Sequence, residues 1–134
     1  MLKTLALVFA LIPVIGHAAA STKPVVHEKV YGLHLFFDET EFVDTLTLQH
    51  QSDGRLSGTM HVPQDFDAPV SNLVLNEKII EFDVLVPKNK ARPADLIFHY
   101  KGQFYSADQK QISGFVNVKD QSPFTAAFVA FLRE

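Results

Sequence analysis

Short runs of alternating apolar and polar residues, separated by turn-forming residues, cover the chain from residue 30 onward. In the run 55–62, Leu56, Met60 and Val62 fall on one face and polar residues fall on the other. This alternation is typical of a β-strand with one buried face, because successive side chains point to opposite sides. The pattern therefore predicts an all-β protein. Eight such runs can be counted, at residues 30–37, 42–50, 55–62, 68–75, 78–86, 96–104, 112–119 and 124–132.

The connections between these runs favour an eight-stranded antiparallel up-and-down (meander) barrel. Most connections are short, and Ser52-Asp53-Gly54 is a strong hairpin signal because Asp and Gly tolerate positive φ. Closing the sheet would remove the exposed edges that invite aggregation. A Greek-key sandwich is the alternative, and it would need a long crossover such as the loop 87–93. Residues 124–132 also fit helical spacing, but their aromatic and β-branched residues favour a strand.

The first twenty residues have the composition of an export signal. Lys3 gives a positive start, and residues 5–15 are apolar apart from Pro13. Small residues follow, which is the order found in cleavable signal peptides. The apolar run is too short for a membrane-spanning helix, which needs about 20 residues. We therefore expect cleavage after Ala18 or Ala20, and a mature protein that is periplasmic or secreted.

The composition of the remaining chain limits its partners. Residues 21–29 are polar and are expected to form an extended N-terminal arm, followed by one β-barrel domain over residues 30–134. The chain has no cysteine, which excludes disulfides and thiol chemistry. Its formal net charge is −3, which argues against a nucleic-acid partner because such proteins carry a basic stripe. No second apolar run is long enough to anchor the mature protein stably in a membrane.

The layout resembles that of the calycins, the lipocalin-like and avidin-like class of small secreted barrels. The resemblance covers residues 30–132 and concerns the number and order of strands. Lipocalins carry Gly-x-Trp near the first strand, where this chain has Tyr31-Gly32-Leu33-His34. Avidins use several Trp residues to bind biotin, and this chain has none. The resemblance implies a barrel that can hold a small ligand, and it carries over no site residue.

Motifs that would indicate an enzyme are missing from the sequence. There is no Gly-x-Ser-x-Gly elbow, no His-Glu-x-x-His pair and no glycine-rich phosphate loop. We therefore predict no enzymatic activity, no catalytic residue, no cofactor and no metal site. Asp38, Glu39, Glu41 and Asp44 cluster between the first two runs. They lack the alternating spacing of a calcium loop, so we interpret them as a solvated acidic loop.

The barrel interior is then the place where a ligand could bind. An interior of this size can be filled by side chains or can hold one small ligand, and both possibilities stay open. The first functional hypothesis is a binding protein for a small apolar or amphipathic ligand. The candidate pocket residues are those assigned to the inward face, namely Met60, Phe82, Phe98, Tyr100, Phe104 and Val116.

The alternative function is a protein-interaction module, such as an inhibitor or an envelope-assembly factor that contacts a periplasmic protein. The arm 21–29 and the loop 87–93 would carry that interaction. The loop brings Lys88, Lys90 and Arg92 together in an otherwise acidic protein, between two prolines that limit its freedom. The simpler interpretation is a long hairpin loop that its charges keep soluble, since loops are commonly charged and exposed.

Overall fold

The computed structural model describes residues 25–121 and 125–133, so the expected signal peptide and residues 21–24 of the expected arm lie outside the described residues. Residues 25–29 of that arm belong to the first strand. The described residues contain no helix. It follows that they contain no helix long and apolar enough to cross a membrane. They form nine strands: β1 (Val25–Phe37), β2 (Thr40–Gln51), β3 (Leu56–Val62), β4 (Phe66–Pro69), β5 (Ser71–Asn76), β6 (Ile79–Val86), β7 (Leu96–Phe104), β8 (Gln111–Val118) and β9 (Thr125–Leu132).

The nine strands form one antiparallel sheet in the order β4-β3-β2-β1-β9-β8-β7-β6-β5. Neighbours are consecutive in sequence except for β1 and β9, so the sheet is a meander closed by its first and last strands. β9 pairs with β1 from Tyr31 opposite Leu132 to Phe36 opposite Ala127, which confirms a strand here instead of a helix. β4 and β5 form the two edges, and Val70 alone separates them in sequence. The sheet is therefore a nearly closed barrel.

The strand count differs from the eight predicted, because the fourth run, residues 68–75, changes its pairing partner halfway. β4 pairs with β3, and the amide of Val70 still donates to Gly58 O at 2.9 Å. β5 then pairs with β6, with a register shift between Ser71 and Val74. Asn72 adopts a left-handed φ of 51° at this shift. One predicted strand is thus two short strands that bridge the two edges of the sheet.

Inward-pointing side chains fill the centre of the barrel. The ring of Tyr100 stacks on that of Phe82 with centroids 4.8 Å apart, and it meets Phe128 edge-on at 5.4 Å. Both arrangements are favoured by the charge distribution of aromatic rings. The fully buried residues of this core include Tyr31, Leu33, Leu46, Met60, Ile80, Phe82, Val84, Ile112, Val116 and Ala130.

Two glycines let β7 and β8 approach closely. Gly102 lies directly opposite Gly114 in the antiparallel pair. A Cβ added to Gly114 would lie 2.0 Å from Lys101 O, and one added to Gly102 would lie 2.8 Å from the ring of Phe128. The absent side chains therefore make room for an aromatic ring over the sheet, a recurring device in curved sheets.

The two ends of the barrel differ in packing. At the end that carries the β7–β8 turn, the hydroxyl of Tyr31 donates to Gln109 O at 2.8 Å, and Phe104 is buried. At the opposite end, the inward positions of β6 are occupied by the smaller residues Val84 and Val86. The barrel is consequently filled at one end and open at the other.

Candidate functional site

A half-enclosed cavity of about 290 Å³ occupies the open end of the barrel. This volume lies at the lower limit of known ligand pockets, about 300 Å³, so it accommodates one small molecule. Its wall is almost entirely apolar. The lining residues are Leu35, Phe37, Phe42, Asp44, Met60, Val62, Asp65, Phe66, Val84, Val86, Arg92, Phe98 and Tyr100.

The β1–β2 turn builds one side of the rim. Asp38 and Glu39 both adopt left-handed φ, at 51° and 67°, which gives a tight two-residue turn. The turn sets Leu35 opposite Phe42 and leaves Phe37 and Phe42 about half exposed at the cavity mouth. Exposed aromatic side chains beside an apolar cavity are typical of binding sites.

Asp44 places a carboxyl group inside this apolar cavity. It shares the inward face of β2 with Leu46 and Leu48, because strand side chains alternate, and it is only 6 % exposed. Among the described residues, no hydrogen bond or ion pair joins its carboxylate. Burial raises the pKa of Asp44 to about 6, with a contribution from the Asp65 carboxylate and opposition from His61. The carboxylate is therefore an unpaired acceptor that faces the cavity.

An ion pair between Asp65 and Arg92 spans the mouth of the cavity. Asp65 follows β3, and Arg92 belongs to the loop between β6 and β7. Arg92 Nη1 and Nη2 each lie 3.1 Å from an oxygen of Asp65, and Nη2 also donates to Pro87 O at 2.8 Å. This pairing lowers the pKa of Asp65 and keeps it ionised. Arg92 is the only Lys or Arg among the described lining residues, so its pairing with Asp65 leaves Asp44 without a lysine or arginine partner there.

The structure divides the six candidate pocket residues into two groups. Met60, Phe98 and Tyr100 line the cavity. Phe82, Phe104 and Val116 belong to the buried core and do not line it. The interior is thus filled in part and open in part. Of the loop cations, Arg92 contributes to the cavity, whereas Lys88 and Lys90 are exposed.

The sequence interpretation missed Asp44 as a cavity residue. The four acidic residues were assigned together to a solvated loop, but β2 begins at Thr40 and Asp44 points inward from it. Its position two residues before Leu46 and four before Leu48 was the signal that could have identified it. Asp65 was missed too, because only the tertiary fold brings it to Arg92.

Asp83, the other buried carboxylate among the described residues, shows how a fully partnered acid differs from Asp44. It receives hydrogen bonds from Lys119 Nζ at 2.9 Å and Asn72 Nδ2 at 2.8 Å, and it lies 2.6 Å from His99 Nδ1. Burial acts to raise the pKa of Asp83, but these hydrogen bonds outweigh it and hold the pKa at about 2. Asp83 is therefore an ionised structural group that joins β5, β6, β7 and the end of β8.

The residues that the structure describes contain no group of three or more His, Cys, Asp or Glu side chains that could hold a metal ion.

The comparisons with known proteins assign no family to the chain. No protein-family model matches the chain, and no curated protein matches its sequence.

Proposed function

We propose that this protein is an exported binding protein, periplasmic or secreted, that holds one small apolar or amphipathic ligand in the barrel cavity. The observation that carries the proposal is the half-enclosed apolar cavity of about 290 Å³ with aromatic residues at its rim. Ligand sites in proteins are typically concave and mostly apolar with a few polar groups, and this cavity has both properties. An unpaired carboxyl group inside it adds a polar contact for orientation.

The energetics of the cavity fit a modest binding affinity. A ligand that buries about 200 Å² of apolar surface gains about 5 kcal/mol from the hydrophobic effect. Part of this gain is offset by the translational and rotational freedom that the ligand loses. We therefore expect a dissociation constant in the millimolar range from burial of this apolar area alone.

Two features of the sequence support the cellular setting. The charge, apolar run and small residues of positions 1–20 support export and cleavage after Ala18 or Ala20. The up-and-down strand order is compatible with a calycin-like relationship, which we propose on layout alone. Sequencing the amino terminus of the protein from a periplasmic fraction checks the cleavage, and a start at Met1 would contradict it.

Ligand binding is favoured over the protein-interaction alternative by the contacts of the two segments involved. Residues 27–29 of the arm pair with β2. In the loop 87–93, Arg92 is bound to Asp65 and to Pro87 O. The described part of the arm is therefore held in the sheet, and the loop contributes Arg92 to the cavity wall.

Titration with N-phenylnaphthylamine, a dye that fluoresces in apolar surroundings, tests the proposal. Val86→Phe fills the cavity from the inward face of β6, where Val86 is buried. Val74→Phe is the matched control, because Val74 is exposed on β5 and outside the cavity. We expect saturable fluorescence with the wild type and Val74→Phe, and at least about a tenfold weaker affinity with Val86→Phe.

Circular dichroism of both variants verifies that the barrel is intact. Equal dye affinity in Val86→Phe and Val74→Phe would place the dye elsewhere and contradict the proposal. Absence of binding by the dye and by a panel of neutral and charged apolar molecules would contradict it as well.

A further inference from the structure

The cavity contains a buried acidic group, and Arg92, the one Lys or Arg among its described lining residues, is bound to Asp65. Asp44 is 6 % exposed and has no hydrogen-bond or ion-pair partner among the described residues. Carboxylates buried to this degree are nearly always paired, because transfer of an unpaired charge from water is costly. A positively charged or hydrogen-bond-donating group beside Asp44 would lower the cost of ionising it. A ligand that enters the cavity can supply such a group.

The groups that surround Asp44 define what it can accept. His61 lies on β3, Asp65 in the turn after β3, Arg92 in the β6–β7 loop and Tyr100 on β7. Arg92 donates to both oxygens of Asp65, so its charge is offset by that carboxylate. The remaining charge within the cavity is negative, which disfavours an anionic ligand and favours a cation.

The aromatic residues that line the cavity also favour a cationic ligand. Phe37, Phe42, Phe66, Phe98 and Tyr100 all contribute to the wall. The faces of such rings attract ammonium groups, and the attraction strengthens when water is excluded. A combination of one carboxylate with several aromatic rings is well suited to an organic cation with an apolar body.

We infer that the ligand is a small organic cation, an amine with an apolar body, whose ammonium group pairs with the Asp44 carboxylate inside the cavity. This inference rests on the proposed binding function and specifies the ligand class. The ammonium group donates a hydrogen bond to Asp44, and the apolar body occupies the space between Met60, Val84 and Phe98. Charge-assisted hydrogen bonds of this kind are stronger than neutral ones.

Calorimetric titration with three probes that differ in one terminal group tests the inference. Phenylbutylamine is cationic, phenylbutanol is neutral and phenylbutanoic acid is anionic, and all three share the same apolar body. We expect the amine to bind the wild type at least about tenfold more tightly than the alcohol, and the acid more weakly than both. In Asp44→Asn the preference for the amine is lost.

Asp38→Asn is the matched control. It makes the same substitution on the exposed β1–β2 turn, and Asn tolerates the left-handed φ found at Asp38. The control variant keeps the wild-type preference for the amine. Denaturation curves for both variants establish that they are folded at the temperature of the titration.

The pH dependence of amine binding provides a second readout. Because the pKa of Asp44 is about 6, amine affinity falls about tenfold from about pH 7.5 to about pH 5, while the amine stays charged. His61→Gln keeps this decrease, which separates the effect of Asp44 from that of the neighbouring histidine. Asp44→Asn removes it.

The outcomes separate this inference from the proposed function. If the alcohol or the acid binds the wild type as tightly as the amine, the inference is wrong and the cavity remains a binding site. If the amine preference persists in Asp44→Asn, Asp44 is not its cause and the inference is wrong. If the dye binds and none of the three probes does, the inference is wrong and the cavity remains a binding site. If neither the dye nor any probe binds, the proposed function itself fails.

Discussion

Replacement of Asp44 by Asn should stabilise the protein at neutral pH, even though it removes a carboxylate. The asparagine keeps the shape of the side chain but cannot ionise. Raising the pKa of Asp44 from 3.8 to about 6 corresponds to about 3 kcal/mol of differential free energy, since each pKa unit is worth 1.36 kcal/mol. The cause is burial of the ionised form in the apolar cavity.

The sign of the effect follows from the linkage between protonation and folding. A pKa that is raised in the folded state gives stability that is complete below the unfolded pKa of 3.8 and is lost as pH rises through about 6. The wild type loses this contribution between those values, whereas Asp44→Asn does not. The stability difference is therefore near zero at about pH 3.5 and reaches at most about 3 kcal/mol at about pH 7.5.

Urea denaturation of the wild type, Asp44→Asn and Asp38→Asn across this pH range measures the difference directly. Asp38 is exposed on the turn, so its variant should follow the wild-type pH dependence. If Asp44→Asn is equally stable or less stable than the wild type at neutral pH, Asp44 is not an unpaired buried carboxylate. The cavity would then not contain a carboxylate that is costly to ionise.

Three further changes test the fold that positions the cavity. Asp83→Asn should destabilise the protein by about 2 kcal/mol at neutral pH, and the difference should disappear as pH falls through about 2, the pKa of Asp83. Gly114→Ala should cost more than about 2 kcal/mol in chemical denaturation, because its Cβ would lie 2.0 Å from Lys101 O. Tyr31→Phe should cost about 1 kcal/mol, because it leaves Gln109 O without the hydroxyl donor.

Each of these variants has a neighbour that serves as its control. Glu81→Gln changes a less buried acid on the same strand as Asp83, Ser113→Ala changes an exposed residue next to Gly114, and Tyr105→Phe removes an exposed hydroxyl. These controls should alter stability by less than about 0.5 kcal/mol. A pH-independent loss in Asp83→Asn, or a tolerated Gly114→Ala, would contradict the arrangement of the corresponding strands.

The sequence pattern predicted the all-β class and the up-and-down order because both depend on local signals. Alternation on β3 and β8, and the Ser52-Asp53-Gly54 turn, mark strands and hairpins within a few residues of chain. The switch of residues 66–76 from β3 to β6 depends on two strands far apart in sequence. Pro69 and the left-handed Asn72 mark the position of this switch, but they do not specify which strand is the new partner.

The cavity, too, depends partly on local sequence signals and partly on contacts between distant strands. Alternation predicted that Met60, Phe98 and Tyr100 point inward, and they line the cavity. It could not separate them from Phe82, which is equally inward, because the position of the open space depends on how side chains from all strands pack together. Asp44 was misassigned since its acidic neighbours in sequence suggested solvent, whereas its neighbours on the inward face are leucines.

The methyl resonance of Met60 offers the most direct measurement of the central claim, that this cavity binds a small amphipathic molecule. Met60 lines the cavity and is 1 % exposed, and Met1 is the other methionine of the chain. Methyl labelling of methionine, with Met60→Leu to assign the signal, follows this one position during titration with phenylbutylamine. We predict a saturable change in the Met60 chemical shift that is weakened in Val86→Phe. A Met60 signal that stays unchanged up to about 10 mM phenylbutylamine and phenylbutanol would contradict the claim.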